Sequence, residues 1–285
     1  MAKKRAKQTP PETRKTLGST TIRAPQRYGW RPDLPDHRDF TYAAPAKYAR
    51  KNLAGNIDLR DCWKEPCFDQ GQLGSCTGNA IAGAIEFALA KEGSATFTPS
   101  RLFIYYNERV IEGTVASDAG AQIRDGMKSV AGVGYCGEDV RSPPPGCPAA
   151  SIWPYDISKF ADQPPQACYD CAANHKVGSY LSVAQNLADM KGCLSERFPF
   201  VFGFTVYESF EEMTAPWIVP MPQQGEAVVG GHAVLAMGFD DAKSVFIVRN
   251  SWGPGWGDGG YFYMPYAYLL DDNLSDDFWT VRLAD

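Results

Sequence analysis

The strongest constraint on the fold is a change of hydrophobic period along the chain. Residues 78–91 place Ile81, Ala84, Ile85 and Ala88 at helical spacing. Residues 100–113 repeat that spacing after Thr98-Pro99, which is a helix start signal. A third, shorter pattern over 121–132 stops at glycine. From Val177 onward the runs PFVFGFTV, GHAVLAMGF, SVFIVRNSW and GYFYMP alternate as strands do, separated by turn residues. Helices first and strands later predict an α+β chain with two lobes. The helical lobe is placed at about 56–172 and the β lobe at about 173–285. Late in the helical lobe, seven prolines from Arg141 to Pro165 dictate a loop. A lobe boundary is where a cleft forms.

Charge divides the chain differently. Residues 1–27 carry eight Lys/Arg and one acid, so +7 of a net -5, leaving -12 on the rest. The basic stretch reads as a solvated, disordered tail, and the acidic body offers no nucleic-acid footprint. No apolar run approaches the roughly 18 residues that a membrane-spanning helix needs. The N-terminus lacks the apolar segment of a secretory signal, so the default expectation is cytoplasmic residence, with export left open. Residues 28–55 form a separate N-terminal segment. Its first part holds Tyr28, Trp30, Phe40 and Tyr42 among Pro32, Pro35 and Pro45, which predicts an extended chain docked on the body.

The chemistry starts at DQGQLGSC, Asp69 to Cys76, where a glycine-rich turn runs into the first helix. A thiol at a helix N-terminus is stabilised as thiolate by the dipole and by unpaired N–H groups. A small buried core cysteine is the competing reading. A nucleophilic thiol requires a base. His232 opens an apolar strand, whereas His37 lies in the proline-rich segment and His175 reads as a surface residue. A hairpin turn centred on Asp241 pairs residues whose numbers sum to 482, and so places Asn250 opposite His232. Asn250 then fixes one ring nitrogen and leaves the other for the thiol. Gln70 and the Cys76 backbone N–H supply donors for the oxyanion of an acyl transfer.

IDLR (57–60), DQGQLGSC (69–76), GHAV (231–234) and NSWGPGWGDGGYF (250–262) together resemble the papain family of cysteine peptidases, over roughly 56–283. WPY at 153–155 and Glu138 before it also fit, and the pattern is closer to bacterial members. The resemblance implies a papain-like fold: a helical lobe and an antiparallel β-barrel-like lobe with the active-site cleft between them. It implies Cys76 as nucleophile, His232 as its ion-pair partner, Asn250 as orienter of His232 and Gln70 in the oxyanion hole. Trp252 shields the His-Asn bond. A substrate lies extended, with the Gly120 backbone on one wall and Gly231 and Ala233 on the other. No cofactor or metal is implied, and the partners are peptide or protein substrates met by a monomer. Thr77 and Leu73 depart from the family, which commonly has Trp and a bridging Cys there.

Four expectations follow. The chain is a thiol endopeptidase, with a non-catalytic peptide-binding module and acyl transfer to an amine as rivals. The segment 28–45 lies over the cleft and restricts access, or else packs behind the body. Cys62–Cys67 and Cys136–Cys147 are candidate local disulfides among eight cysteines. Cys168-x2-Cys171 with His175 is a weak zinc half-site.

Overall fold

The computed structural model describes residues 28–45 and 55–283. The basic tail, 1–27, lies outside the described residues, as does part of the N-terminal segment, 46–54. The three expected helices are present as α1 (Cys76–Lys91), α2 (Arg101–Glu112) and α3 (Ile123–Gly132). Ser100 caps α2 by accepting from Phe103 N at 3.1 Å, and Gly113 closes it with φ 70°. α1 is buried from Cys76 through Leu89, because it has protein on every side. It packs against α2 and α3 on one flank and against the sheet on the other. The proline-rich loop carries only short 3-10 turns and leads to α4 (Gln166–Ala172).

The sheet is antiparallel and seven-stranded. Its strands are β1 (Asn56–Asp58), β2 (Val177–Ser182), β3 (Phe200–Tyr207), β4 (Val228–Asp240), β5 (Val245–Arg249), β6 (Tyr261–Pro265) and β7 (Ser275–Leu283). The order is β2-β7-β3-β4-β5-β6, with β1 added to β4. α5 (Leu187–Ser195), α6 (Glu208–Glu211) and α7 (Tyr266–Leu269) punctuate this half. Helices and sheet are thus layered as an α+β fold. One detail of the expected division changes: β1 precedes the helices, yet Asn56 pairs with Asp240 and Asp58 with Gly238.

Residues 28–45 form an extended strap on the body. Trp30 and Tyr42 are buried, while Phe40 is exposed. The strap bridges Ala121 through Trp30 and Ser182 through Thr41. It runs from Ala121, just ahead of α3, to the edge strand β2.

The cysteines pair differently from expectation. Cys147 bonds to Cys171, 24 residues away. Cys62, Cys67 and Cys136 are free thiols. Both expected local bridges are therefore absent: Cys147 is taken by Cys171, Cys136 lies beside Cys168 instead, and Cys62 and Cys67 do not bond to each other. Cys147, Cys171 and His175 form the one cluster of possible ligand atoms among the described residues, but both sulfurs are held in the disulfide.

Candidate active site

Cys76 is the first residue of α1, with Ser75 as N-cap. The loop before it is held by a buried polar network. Arg101 on α2 pairs with Glu138 at 2.6 Å and donates to Asp69 O and Asn79 Oδ1. Its guanidinium lies 3.8 Å from the centre of the Tyr155 ring. Tyr155 OH meets Ser75 Oγ at 2.5 Å and donates to Gln70 O at 3.0 Å. Asp118 accepts from Gly74 N at 3.0 Å and from Tyr105 OH at 2.6 Å. No local pattern marks Arg101, Asn79 or Asp118, because each acts through neighbours distant in sequence.

Gln70 is fully buried. Its Oε1 accepts from Ser251 Oγ at 2.6 Å, which fixes the amide, and its Nε2 donates to Leu73 O at 2.8 Å. The backbone of Gln70 also donates to Ser251 O, tying the cysteine loop to the Asn250 loop.

His232 sits on β4, opposite Phe204 of β3. Its Nε2 donates to Asn250 Oδ1 at 2.8 Å, and the same oxygen accepts from Ser251 N. Nδ1 is buried and hydrogen-bonds to no group among the described residues. Trp252 stacks on the imidazole, with centroids 5.1 Å apart and planes at 28°. The expected bond is therefore present, but not by the expected register. β4 and β5 pair as Leu235↔Arg249 and Ala236↔Val248, with a bulge before Gly238↔Ile247. The register sum of 482 is thus replaced by 484 near the site, because the turn lies later than Asp241. A shift of two preserves the face of each side chain, so His232 and Asn250 still meet.

Backbone groups of Ala233, Gly29 and Thr77 face the sulfur of Cys76 and favour its thiolate. Burial outweighs them and pushes the thiol up to about 11. Burial likewise pulls His232 down to about 4, against the opposing pull of Asn250.

Next to Cys76, Thr77 Oγ1 donates to Glu108 Oε2 at 2.6 Å. Glu108 is fully buried, and its other oxygen has no partner among the described residues. Burial raises it to about 8.

The expected walls of the cleft hold the strap. Gly29 O accepts from Ala121 N at 2.8 Å, and Arg31 N donates to Ala121 O at 3.1 Å. The pairing residue is thus Ala121, one position beyond Gly120. Gly120, at φ 69°, has no side chain to displace Gly29: a Cβ there would lie 2.0 Å from Gly29 O. On the other wall, Gly231 O accepts from Trp30 N at 3.0 Å. The Trp30 indole lies in a slot where a Cβ on Gly203 would come within 1.9 Å of it.

Residues 53–269 match the profile described as papain family cysteine protease. The chain belongs to this family. An uncharacterized peptidase C1-like protein of Acanthamoeba polyphaga mimivirus is 40% identical over 280 residues, covering 90% of this chain and 86% of its own. Among solved structures, xylellain, a cysteine protease from Xylella fastidiosa, is similar at 41% identity and TM-score 0.79, covering 90% of this chain and 96% of that one. The proCathepsin B S9 of Trypanosoma congolense shares the fold at TM-score 0.66 and 15% identity, over 90% of this chain and 87% of that one. The papain-family chain is accordingly a thiol hydrolase acting on peptides. No helix among its described residues is long and apolar enough to cross a membrane.

Proposed function

We propose that the chain is a cysteine endopeptidase held latent by residues 28–45. Cys76 attacks the peptide carbonyl, and His232 takes the thiol proton and returns it to the leaving amine. Asn250 holds the imidazole, and Trp252 covers their bond from water. Gln70 and the Cys76 N–H bind the oxyanion, and water then hydrolyses the acyl-thioester. Gly120, Gly231 and Ala233 line the path of an extended substrate.

The observation that carries this reading is the imidazole fixed through Nε2, with Nδ1 uncommitted, on the residue next to Ala233, whose backbone faces the Cys76 sulfur. Latency is supported by what faces that sulfur. It is the backbone of Gly29, while the Gly29 carbonyl is bound to Ala121. A strap so placed occupies the cleft without offering its own carbonyl for attack. Release of the strap rehydrates the site, which favours the thiolate–imidazolium pair.

The test is mass spectrometry after treatment with an epoxide aimed at thiol peptidases. One adduct on Cys76, absent in Cys76→Ala, together with cleavage of internal peptide bonds, is expected. Reduced, folded protein that acquires no adduct at any pH overturns the catalytic reading. Products formed with and without an added amine separate hydrolysis from acyl transfer.

A further inference from the structure

Where the strap leaves the cleft, it meets the sheet through two carboxyl groups. Asp33 belongs to the strap and Asp277 to β7, and both are buried. Asp277 Oδ2 accepts from Trp30 Nε1 and from Asp33 N, each at 2.9 Å. Asp33 Oδ2 accepts from Arg124 N in the first turn of α3 at 3.1 Å. Asp33 Oδ1 is buried with no partner among the described residues. The two bonds that seat Trp30 and Asp33 thus converge on one acid that has another acid for its neighbour.

Every packed element adds charge to this contact. Asp276 lies beside Asp277 on β7. On α3, Arg124 pairs with strap Asp39 at 2.9 Å and donates to Leu34 O, while Asp125 is held by Lys128 at 3.0 Å. Asp33 and Asp277 themselves, with Asp36, His37, Asp276 and Arg124, line one cavity of about 410 Å³. Arg124 is the cation that opposes these charges, and its guanidinium is shared with Asp39. Two buried like charges at one contact cannot both ionise without a large cost.

We propose that Asp33 and Asp277 form a pH-sensitive latch, which keeps the strap seated while the pair carries a proton and frees it when both acids ionise. The proposal rests on reading residues 28–45 as the cover of the cleft. Burial first, and then the charge of Asp277, raise Asp33; burial first, with Asp276 adding, raises Asp277. In the released strap, Asp33 stands in water near the ordinary carboxylate value of about 4. The seated state therefore binds more protons than the released one. Seating is at full strength below the ordinary value and weakens as pH rises through the raised ones. Each unit of elevation is about a tenfold change in the seating equilibrium. The latch opens toward alkaline pH.

The test compares the full chain with Asp33→Asn, which keeps an acceptor for Arg124 N and removes the charge. The readout is the rate at which an epoxide labels the Cys76 peptide between about pH 5 and about pH 9. The ratio of wild type to Asp33→Asn cancels the thiol's own ionisation. It is expected near one at the acid end and about tenfold or more at the alkaline end. Asp277→Asn, read by the same labelling, should flatten the pH dependence as well. A ratio that stays flat in both variants overturns the latch. Trp30→Ala, labelled faster at every pH, tests the occlusion itself, so a failed latch and a failed cover give different results.

Discussion

Thr77 Oγ1 reaches back to the carboxyl of Glu108 at 2.6 Å, which links the turn that carries the nucleophile to the interior of α2. Glu108 adds to the upward push on the Cys76 thiol, though less than burial does. Because burial raises Glu108 to about 8, the folded protein holds a proton there that the unfolded chain releases near 4.5. Stability from this group is complete below the lower value and declines, by roughly 1.4 kcal/mol per pH unit, as pH rises to the upper one. Glu108→Gln should flatten the fall in melting temperature between those values relative to wild type. Glu108→Ala, which opens a cavity and strands Thr77, should cost about 2–4 kcal/mol in denaturant titration. Parallel wild-type and Glu108→Gln melting curves against pH would refute the assignment.

The two amides near the thiol should fail differently. Asn250→Ala frees the imidazole to rotate and change tautomer, so kcat should fall about a hundredfold or more. Gln70→Ala removes one oxyanion donor and should also lower kcat about a hundredfold. Only Asn250→Ala should reshape the pH profile, because only Asn250 touches the titrating ring. Steady-state kinetics of strap-released protein across pH distinguishes them.

A wedge can eject the strap without touching the thiol or the imidazole. A methyl group on Gly203 would sit 1.9 Å from the Trp30 ring. The backbone of Gly203 is ordinary β-strand, so alanine imposes no dihedral strain. Gly203→Ala should raise the rate of Cys76 labelling about tenfold or more at neutral pH, matching Trp30→Ala. Unchanged labelling in folded protein would show that Trp30 does not guard the cleft.

The Cys147–Cys171 link closes a loop between residues 24 apart. Cys147→Ser should cost about 3 kcal/mol under oxidising conditions and little in reductant, where the wild-type bond is also open. Thermal melts with and without reductant measure the difference.

Much of this was legible because the decisive residues lie in local patterns. A thiol at a helix start, a glutamine on the loop before it, and a histidine and asparagine flanking one hairpin are all short-range signals. The His232–Asn250 contact survived an incorrect register because sheet faces repeat every two residues. β1, β2 and β7 were missed for another reason. Asn56–Asp58 is too short to show a period, Val177–Ser182 is buried only at its first residue, and Ser275–Leu283 has two acids directly after Ser275 and puts Asp277 at φ 59°. Glu108 looked like an ordinary charge within an amphipathic helix, and the packing of α1, through Thr77, and of α3, through Gly126, encloses it. Asp33 and Asp277 stand 244 residues apart, a pairing that no sequence window holds.

The pairing of β1 with β4 carries a consequence for biosynthesis. Asn56 finds its partner only at Asp240. The ribosome has therefore delivered every helix of the first half before the opening strand can be zipped into place. An N-terminal fragment ending at the proline loop would present that strand with nothing to pair against. The lobes are two in shape but one in assembly, and a split of the gene at their boundary should yield two insoluble halves rather than two modules.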